Sequence, residues 1–298
     1  MTMQTISLVL GSGGARGLAH IGVIHWLEEH HFKIESISGC SMGALVGGVY
    51  AAGKLDEFEH WVSAITKVDM VGLLDLAWSN NGLIKGDKII NSLIDLVGEQ
   101  LIEDLPLSFT AVAADIASEK EVWIQSGKLF DGIRASISLP LFFTPFNVNG
   151  VDLIDGGVLN PVPIAPTFGD NTDLTIAVNL GGPPEIKQIK ESASAQPSFL
   201  SEELHEKISH FITRFQQAIT PNSHDWTAYD VANQAFEAMQ STIARQKLAA
   251  YPPDITIEFP RNSCGILEFN RASEMIELGY DMAQQRLHHL LENTQQHD

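Results

Sequence analysis

Cysteine is nearly absent. Only Cys40 and Cys264 occur in 298 residues, too few for a disulfide framework. Cys40 also stands where a small buried residue is expected, and the pair points to a reducing compartment. Basic residues are scarce: 18 Lys and Arg against 37 Asp and Glu leave a net charge of −19. Binding nucleic acid needs clustered Lys and Arg to neutralise phosphate, and no dense basic run is present, so that class is excluded. The same balance argues against docking on an anionic membrane through charge alone. A solvated acidic surface is its simplest reading. No stretch reaches 18 consecutive apolar residues, so no spanning helix is predicted. The opening MTMQTISLVLGSGG lacks a basic n-region and its apolar run is short, which leaves a cytoplasmic protein as the expectation.

The remaining composition is that of a globular chain: 44% apolar and 18% charged. No internal repeat is visible. Residues 5–10 (TISLVL) read as a buried strand ended by glycine, and 17–31 as a helix with Leu18, Ile21, Ile24 and Leu27 on one side. Residues 34–38 read as a second strand and 41–53 as a helix rich in small residues. Two strand–turn–helix units in a row predict a parallel sheet covered on both faces. A helical stretch follows over 55–78, then a helix in KGDKIINSLIDLVG. Two strands lie in LSFTAVAADIASEKEVWIQSG, and a short helix in DGIRASISLPLFFTPF is broken by Pro140. Further strands are expected in GVDLIDGGVLNPVP, DLTIAVNL and DITIEFP, with helices over 201–218, 228–247 and 271–293. No domain boundary stands out. The expectation is one domain over 1–298 with a lid-like insertion near 181–225, where the chain turns polar and rich in Pro and Ser.

Gly39-Cys40-Ser41-Met42-Gly43 lies between the second strand and the following helix. Gly-x-Ser-x-Gly at such a junction is the nucleophile-elbow pattern. A serine on a strained strand-to-helix turn exposes its hydroxyl above the sheet, and crowding there demands small residues two positions away on each side. The first turn of the helix adds N–H groups and partial positive charge, which favour a developing oxyanion. A structural turn is the competing reading of the motif alone.

Glycine-rich LGSGGARGLAH follows the first strand. A phosphate-binding P-loop would need Gly-Lys-Ser/Thr, and Arg16-Gly17-Leu18 stands there instead. A dinucleotide fingerprint fails in the frame from Gly11, whose last position is Arg16, and in the frame from Ser12, which lacks the first glycine. An oxyanion loop remains, since successive glycines let backbone N–H groups turn into a cleft; a plain tight turn competes with it. Arg16, a cation in a first helical turn, opposes the macrodipole and is expected to fix the loop through an ion pair.

A serine nucleophile needs a base. His205, His210, His288, His289 and His297 lie in polar stretches. His224, in PNSHDW, is the plausible loop candidate, and His20 and His25 read as partly buried helix residues. Asp155 ends an apolar strand and is followed by Gly156 and Gly157, which lets its carboxylate project into a cleft; an ordinary β-turn aspartate is the alternative. A carboxylate is a weak base unless a desolvated site raises its pKa, so a Ser–Asp pair requires an apolar cleft.

Taken in order, Gly13-Gly14-Ala15-Arg16-Gly17, Gly39-Cys40-Ser41-Met42-Gly43 and Asp155-Gly156-Gly157 resemble the patatin-like phospholipase family, in its bacterial branch related to neuropathy target esterase. The resemblance extends to GLIKGDKI, IRASISLPLFFTP and DGGVLNPVP, spans about residues 6–180, and includes FNRASEMIELGYDMA near the end. It implies an α/β fold, a three-layer α/β/α sandwich with a mostly parallel sheet. It also implies hydrolysis of an acyl ester through a Ser–Asp dyad without histidine, metal or cofactor. Ser41 would be the nucleophile and Asp155 the base. N–H groups around Gly13, Gly14 and Ala15 would hold the oxyanion, and Gly11, Arg16, Gly17, Gly39, Gly43, Gly156 and Gly157 would support the motifs. Two positions depart from the pattern. Ser12 replaces the usual Gly, which bears on the loop conformation, and Cys40 replaces Thr or another small residue, with little effect expected.

Residues Trp61 to Trp78 and LPLFFTPF read either as core or as the lining of an acyl pocket. The resemblance implies a phospholipid or lysophospholipid substrate, with transient contact at the inner membrane surface. A general carboxylesterase or thioesterase and a non-catalytic regulatory relative are the alternatives. Headgroup, acyl length and oligomeric state are not legible.

Overall fold

The computed structural model of the chain describes residues 3–66, 85–185 and 228–294. Its centre is an eight-stranded sheet, made of β1 (Thr5–Leu10), β2 (Lys33–Cys40), β3 (Ser108–Asp115), β4 (Lys120–Ile124), β5 (Phe146–Val148), β6 (Val151–Asp155), β7 (Leu174–Gly182) and β8 (Ile255–Pro260). The order is β5-β6-β3-β2-β1-β7-β8, with β4 also paired to β3. From β3 to β8 the neighbours run parallel; β4, β5 and β6 are antiparallel additions at one side.

The helices are α1 (Ala19–Glu29), α2 (Met42–Ala51), α3 (Leu55–Ala64), α4 (Asp87–Val97), α5 (Leu129–Ser136), α6 (Ala228–Ala250) and α7 (Ala272–Thr294). Alternation along β1 separates the two sides of the sheet. Ile6, Leu8 and Leu10 join a large core with Trp26 and Leu27 of α1, Leu45 and Val46 of α2, and Met275 and Leu287 of α7. Val9 points the other way, into a smaller core with Val162, Ile164, Ala177 and Ala244 of α6. Helices therefore cover both faces, which makes a three-layer α/β/α sandwich. On the larger side α1 and α7 cross closely. A Cβ at Gly22 would lie 1.9 Å from the Ile276 carbonyl oxygen, and one at Gly279 would lie 2.0 Å from that of Ala19, so neither position has room for a side chain.

Several elements differ in extent from the sequence expectation. A 3₁₀ turn over Gly14–Leu18 precedes α1, which begins only at Ala19. The helix expected over 55–78 is described as α3 to Ala64, after which Ile65 is extended; residues 67–84 lie outside the described residues. Helix α5 ends at Ser136, before Pro140, whose ring disfavours helical backbone at the preceding residue. The expected lid-like insertion near 181–225 begins inside β7, which runs to Gly182, and from 186 it lies outside the described residues, as does the helix expected over 201–218.

Strand pairing decides what meets at the top of the sheet. β2 pairs with β3 as far as Cys40 opposite Val112. β4 occupies the other edge of β3 from Ala111 to Asp115. β6 therefore pairs on the β2 edge, antiparallel, and ends with Asp155 opposite Ala113. The C-terminal ends of β2 and β6 thus meet head to head along one edge of β3.

Candidate active site

That meeting joins Ser41, the first residue beyond β2, to Asp155, the last of β6. Ser41 Oγ donates a hydrogen bond to Asp155 Oδ2 at 2.5 Å. Ser41 has φ 56° and ψ −123° and precedes the first residue of α2. A side-chain-bearing residue in this region is strained by about 1–3 kcal/mol, which is the sharp turn the elbow pattern demands. Its flanking glycines lie against backbone. A Cβ at Gly43 would sit 2.1 Å from the Leu10 carbonyl oxygen, and one at Gly39 would sit 2.5 Å from that of Gly43.

Asp155 is fully buried. Its Oδ1 accepts the N–H of Gly157 at 2.7 Å and faces the Cys40 thiol at 3.7 Å. Burial pushes the carboxyl pKa up to about 6, against the opposing pull of the hydrogen bonds from Ser41, Gly157 and Cys40. The carboxylate is thus far more basic than one in water. Burial and the neighbouring carboxylate push the Cys40 thiol well up, so it stays protonated and acts as a weak donor. Gly156 passes over the Val112 carbonyl, where a Cβ would come within 2.2 Å.

The glycine loop lies beside the dyad. Gly14 and Ser41 line one cleft. Among the described residues the N–H groups of Gly13 and Gly14 have no acceptor. The Ala15 N–H does have one: it donates to the Ile266 carbonyl at 2.8 Å. In this conformation the loop therefore offers two free amides out of the three expected. Gly11 anchors the loop to β7 through its N–H and the Val178 carbonyl (3.1 Å), and Gly17 packs against Met42, whose Cγ lies 2.2 Å from where a Cβ would stand. Arg16 is buried; it donates to the carbonyls of Arg261 (2.6 Å) and Cys264 (3.2 Å) and pairs with Glu237 at 3.4 Å.

No described histidine serves the serine. His20 is fully buried and its Nε2 meets the Gly11 carbonyl at 2.9 Å, which assigns the proton to Nε2. Burial lowers its pKa to about 4, so it is neutral and holds the loop. His25 faces Glu59 at 3.3 Å, and His288 and His289 are exposed on α7. His205, His210, His224 and His297 lie outside the described residues.

The cleft in front of Ser41 is open at its mouth. Apart from Ser41 and Gly14 its lining is apolar: Met42 and Leu45 of α2, Phe58, Trp61, Val62 and Ile65 from the α3 stretch, Ile89 and Leu93 of α4, then Ile137, Leu139, Phe143, Ile266, Leu267 and Phe269. Of the two stretches that read as core or pocket, Trp61, Leu139 and Phe143 face the cleft, Leu141 is exposed, and Trp78 lies outside the described residues. Sequence reasoning missed the part played by the chain around 266, and it missed Ser136, whose Oγ accepts the Ser41 N–H at 2.9 Å. Nothing short of the folded register marks a serine in RASIS as the partner of a serine 95 residues away. Among the described residues no group of three or more His, Cys, Asp or Glu side chains is placed to hold a metal ion, and no helix is long and apolar enough to cross a membrane.

The chain is thus a doubly covered α/β sandwich with a hydroxyl–carboxylate pair at a strand–helix elbow, opening on an apolar cleft. The chain belongs to the patatin-like phospholipase family, whose model matches residues 8–168. It is 38% identical to an uncharacterized NTE family protein of Mycobacterium tuberculosis over 331 aligned residues, covering 95% of this chain and 91% of that one. It is 36% identical to a patatin-like phospholipase domain-containing protein of Caenorhabditis elegans, over 55% of this chain and 12% of that one. The lysophospholipase NTE1 of Saccharomyces cerevisiae is 31% identical over 60% of this chain and 11% of its own length. VipD of Legionella pneumophila, a solved structure, aligns with a TM-score of 0.46 at 15% identity, covering 96% of this chain and 66% of that one.

Proposed function

We propose that this protein is a serine acyl-ester hydrolase that cleaves fatty acyl esters of phospholipid or lysophospholipid through a Ser41–Asp155 dyad. The observation that carries the proposal is the 2.5 Å hydrogen bond from Ser41 Oγ to a buried carboxylate whose pKa lies near 6. As Ser41 Oγ attacks the ester carbonyl carbon, its proton passes to Asp155 Oδ2. The carbonyl oxygen becomes an oxyanion that the free amides of Gly13 and Gly14 stabilise. Collapse of the tetrahedral intermediate breaks the C–O bond to the leaving alcohol, which takes the proton from Asp155 and leaves Ser41 acylated. Water then attacks the acyl-enzyme and gives a proton to Asp155; breaking the bond to Ser41 Oγ releases the fatty acid, and Oγ takes that proton back from Asp155. General base catalysis of this kind contributes about 10²–10⁴-fold.

The lining of the cleft supports an acyl chain as the bound group, since burial of each methylene contributes about 0.8 kcal/mol. The name of the yeast relative, a lysophospholipase, supports a glycerolipid ester. Transient contact with a lipid surface would deliver such a substrate. A general carboxylesterase or thioesterase acting on small acyl groups is the second reading, and dependence of rate on chain length separates the two.

The test is intact-protein mass spectrometry after treatment with a fluorophosphonate probe. One adduct on Ser41 is expected, absent in Ser41→Ala and at least about 100-fold slower to form in Asp155→Asn. Folded wild-type protein that forms no adduct, or forms it elsewhere, overturns the assignment.

A further inference from the structure

Arg134 carries a charge into the interior. Its side chain belongs to a residue only 3% exposed, and no ion pair joins it among the described residues. Its Nη1 donates to Ser138 Oγ at 2.6 Å. Its Nη2 donates to the Lys85 carbonyl, to the Thr144 carbonyl at 3.2 Å and to Thr144 Oγ1 at 3.3 Å. The rings of Phe143 and Phe146 each lie 5.5 Å from the guanidinium carbon. Burying a guanidinium is costly even with such contacts, and the proposed hydrolysis makes no use of its charge. What it does hold is the end of α5 together with the turn that follows it.

The helix end and the turn together grip both members of the dyad. Ser136 is fully buried. A hydroxyl has a single hydrogen, and Ser136 gives it to the Val112 carbonyl at 2.6 Å, so the Ser41 N–H at 2.9 Å meets a lone pair of the same oxygen. Val112 is the β3 residue opposite Cys40, the last paired residue of β2. Where β2 leaves the sheet, the Ser136 hydroxyl thus takes the place of the next rung of the ladder and lets Ser41 adopt its positive φ with its amide still satisfied. Two residues on, the Ser138 carbonyl accepts the N–H of Asp155 at 3.0 Å, while Ser138 Oγ donates to the Arg134 carbonyl at 2.8 Å.

We propose that the end of α5 and the turn after it, residues 134–138, form the positioning element of the dyad, with Ser136 holding Ser41 in its strained backbone, Ser138 holding Asp155, and Arg134 clamping the segment. This rests on the hydrolase reading above. Without the Ser136 hydroxyl, the buried Ser41 amide loses its acceptor, and the strain at Ser41 is less opposed. Misplacement of a reacting atom by about 1 Å costs up to about 100-fold in rate.

The experiment compares Ser136→Ala, Ser136→Thr and Arg134→Lys with the wild type. Thermal unfolding and circular dichroism establish that each variant is folded. In Ser136→Ala, kcat on a soluble p-nitrophenyl ester and the rate of fluorophosphonate labelling are expected to fall about 10- to 100-fold, with KM unchanged. Ser136→Thr, which restores the hydroxyl, recovers part of the loss. Arg134→Lys keeps the charge but not the planar fork, and loses kcat to a smaller degree; it carries the test should Ser136→Ala fail to fold. A folded Ser136→Ala with wild-type kcat, or a loss confined to KM or thermal stability, overturns the proposal. Wild-type protein inert to ester and probe overturns the hydrolase reading instead. In that case a crystal structure of Ser136→Ala decides the positioning role: Ser41 should leave positive φ and part from Asp155, and an unmoved Ser41 overturns it.

Discussion

The thiol of Cys40 and the carboxylate of Asp155 face each other at 3.7 Å, 115 residues apart in sequence. The thiol is the weakest donor to that carboxylate, beside the Ser41 hydroxyl and the Gly157 amide, and it touches the oxygen that does not accept the Ser41 hydroxyl. Its replacement should tune the base without removing it. Cys40→Ala deletes a donor to the ionised form and moves the acid limb of kcat/KM to higher pH. Cys40→Ser supplies a stronger donor and moves it lower. Each shift should be under about one pH unit, the worth of one neutral hydrogen bond. Identical profiles for both variants would reduce the thiol to a space filler.

Asp155 itself sets the profile. In the proposed mechanism it is the base and must be ionised, so kcat/KM should rise with pH through about 6 and level above it. The stability effect has the opposite sense. The folded carboxyl holds its proton up to about 6, whereas the usual value is 3.8. Between these values the folded state binds more protons than the unfolded one. Its contribution is therefore most favourable below pH 4 and falls as pH rises to 6, by on the order of 3 kcal/mol in all. Asp155→Asn removes the ionisation and should lose less stability than the wild type between pH 4 and pH 7 in urea unfolding.

His20 titrates with the other sign. Its pKa is about 4 in the folded protein against an ordinary 6.5, so below pH 6.5 the unfolded chain takes up a proton that the folded chain refuses. Stability from this residue is complete above pH 6.5 and is lost as pH falls to 4, again on the order of 3 kcal/mol. His20→Gln keeps a donor for the Gly11 carbonyl and cannot titrate. Unfolding at pH 7 and pH 4.5 should show a smaller acid loss in the variant; equal losses would mean that His20 is protonated inside the fold.

Three glycines form a graded series. Alanine at Gly43 drives a Cβ against the Leu10 carbonyl, which is backbone and cannot swing away, and should cost about 3 kcal/mol or more. Alanine at Gly17 meets the Met42 side chain, which can move, and should cost less. At Gly53 nothing lies within 4 Å, so alanine there meets only the penalty of φ +70°, about 1 kcal/mol. Chemical denaturation of the three variants checks the order.

Acyl length should register in the rate. At about 0.8 kcal/mol per methylene, kcat/KM should rise about fourfold for each carbon added to a soluble ester until the cleft is full. Val62→Phe narrows the cleft from its α3 wall and should stop the rise at a shorter chain while leaving short esters unaffected. A flat chain-length series in the wild type would favour the small-ester reading.

The layered parallel sheet was legible because its buried strands are short apolar runs ended by glycine and its helices carry periodic apolar faces. The elbow and the Asp-Gly-Gly turn were legible because their conformations restrict residue type. β5 went unread, although Asn149-Gly150 between FNV and VDLID is a two-residue hairpin turn with φ of 52° and 88°; its three residues are too few for a periodic signal. The pairing of the Ala15 amide with Ile266 left no trace in sequence, because a backbone carbonyl serves that role whatever side chain follows it. Ser136 was invisible for a related reason: a hydroxyl in a short helix is ordinary until the register of β2 on β3 places it.

The head-to-head arrival of β2 and β6 on one edge of β3 has a consequence for the chain in the making. Ser41 is synthesised early, within the first strand–helix units, but the proposed base lies 114 residues later and reaches it only when an antiparallel strand closes onto β3. A nascent or truncated chain that stops before Asp155 carries the elbow without a base beside it. Chemical competence thus arises at the completion of a long-range pairing rather than with the first folded turns, and a refolding population should recover native-like helix content before it recovers reactivity at Ser41.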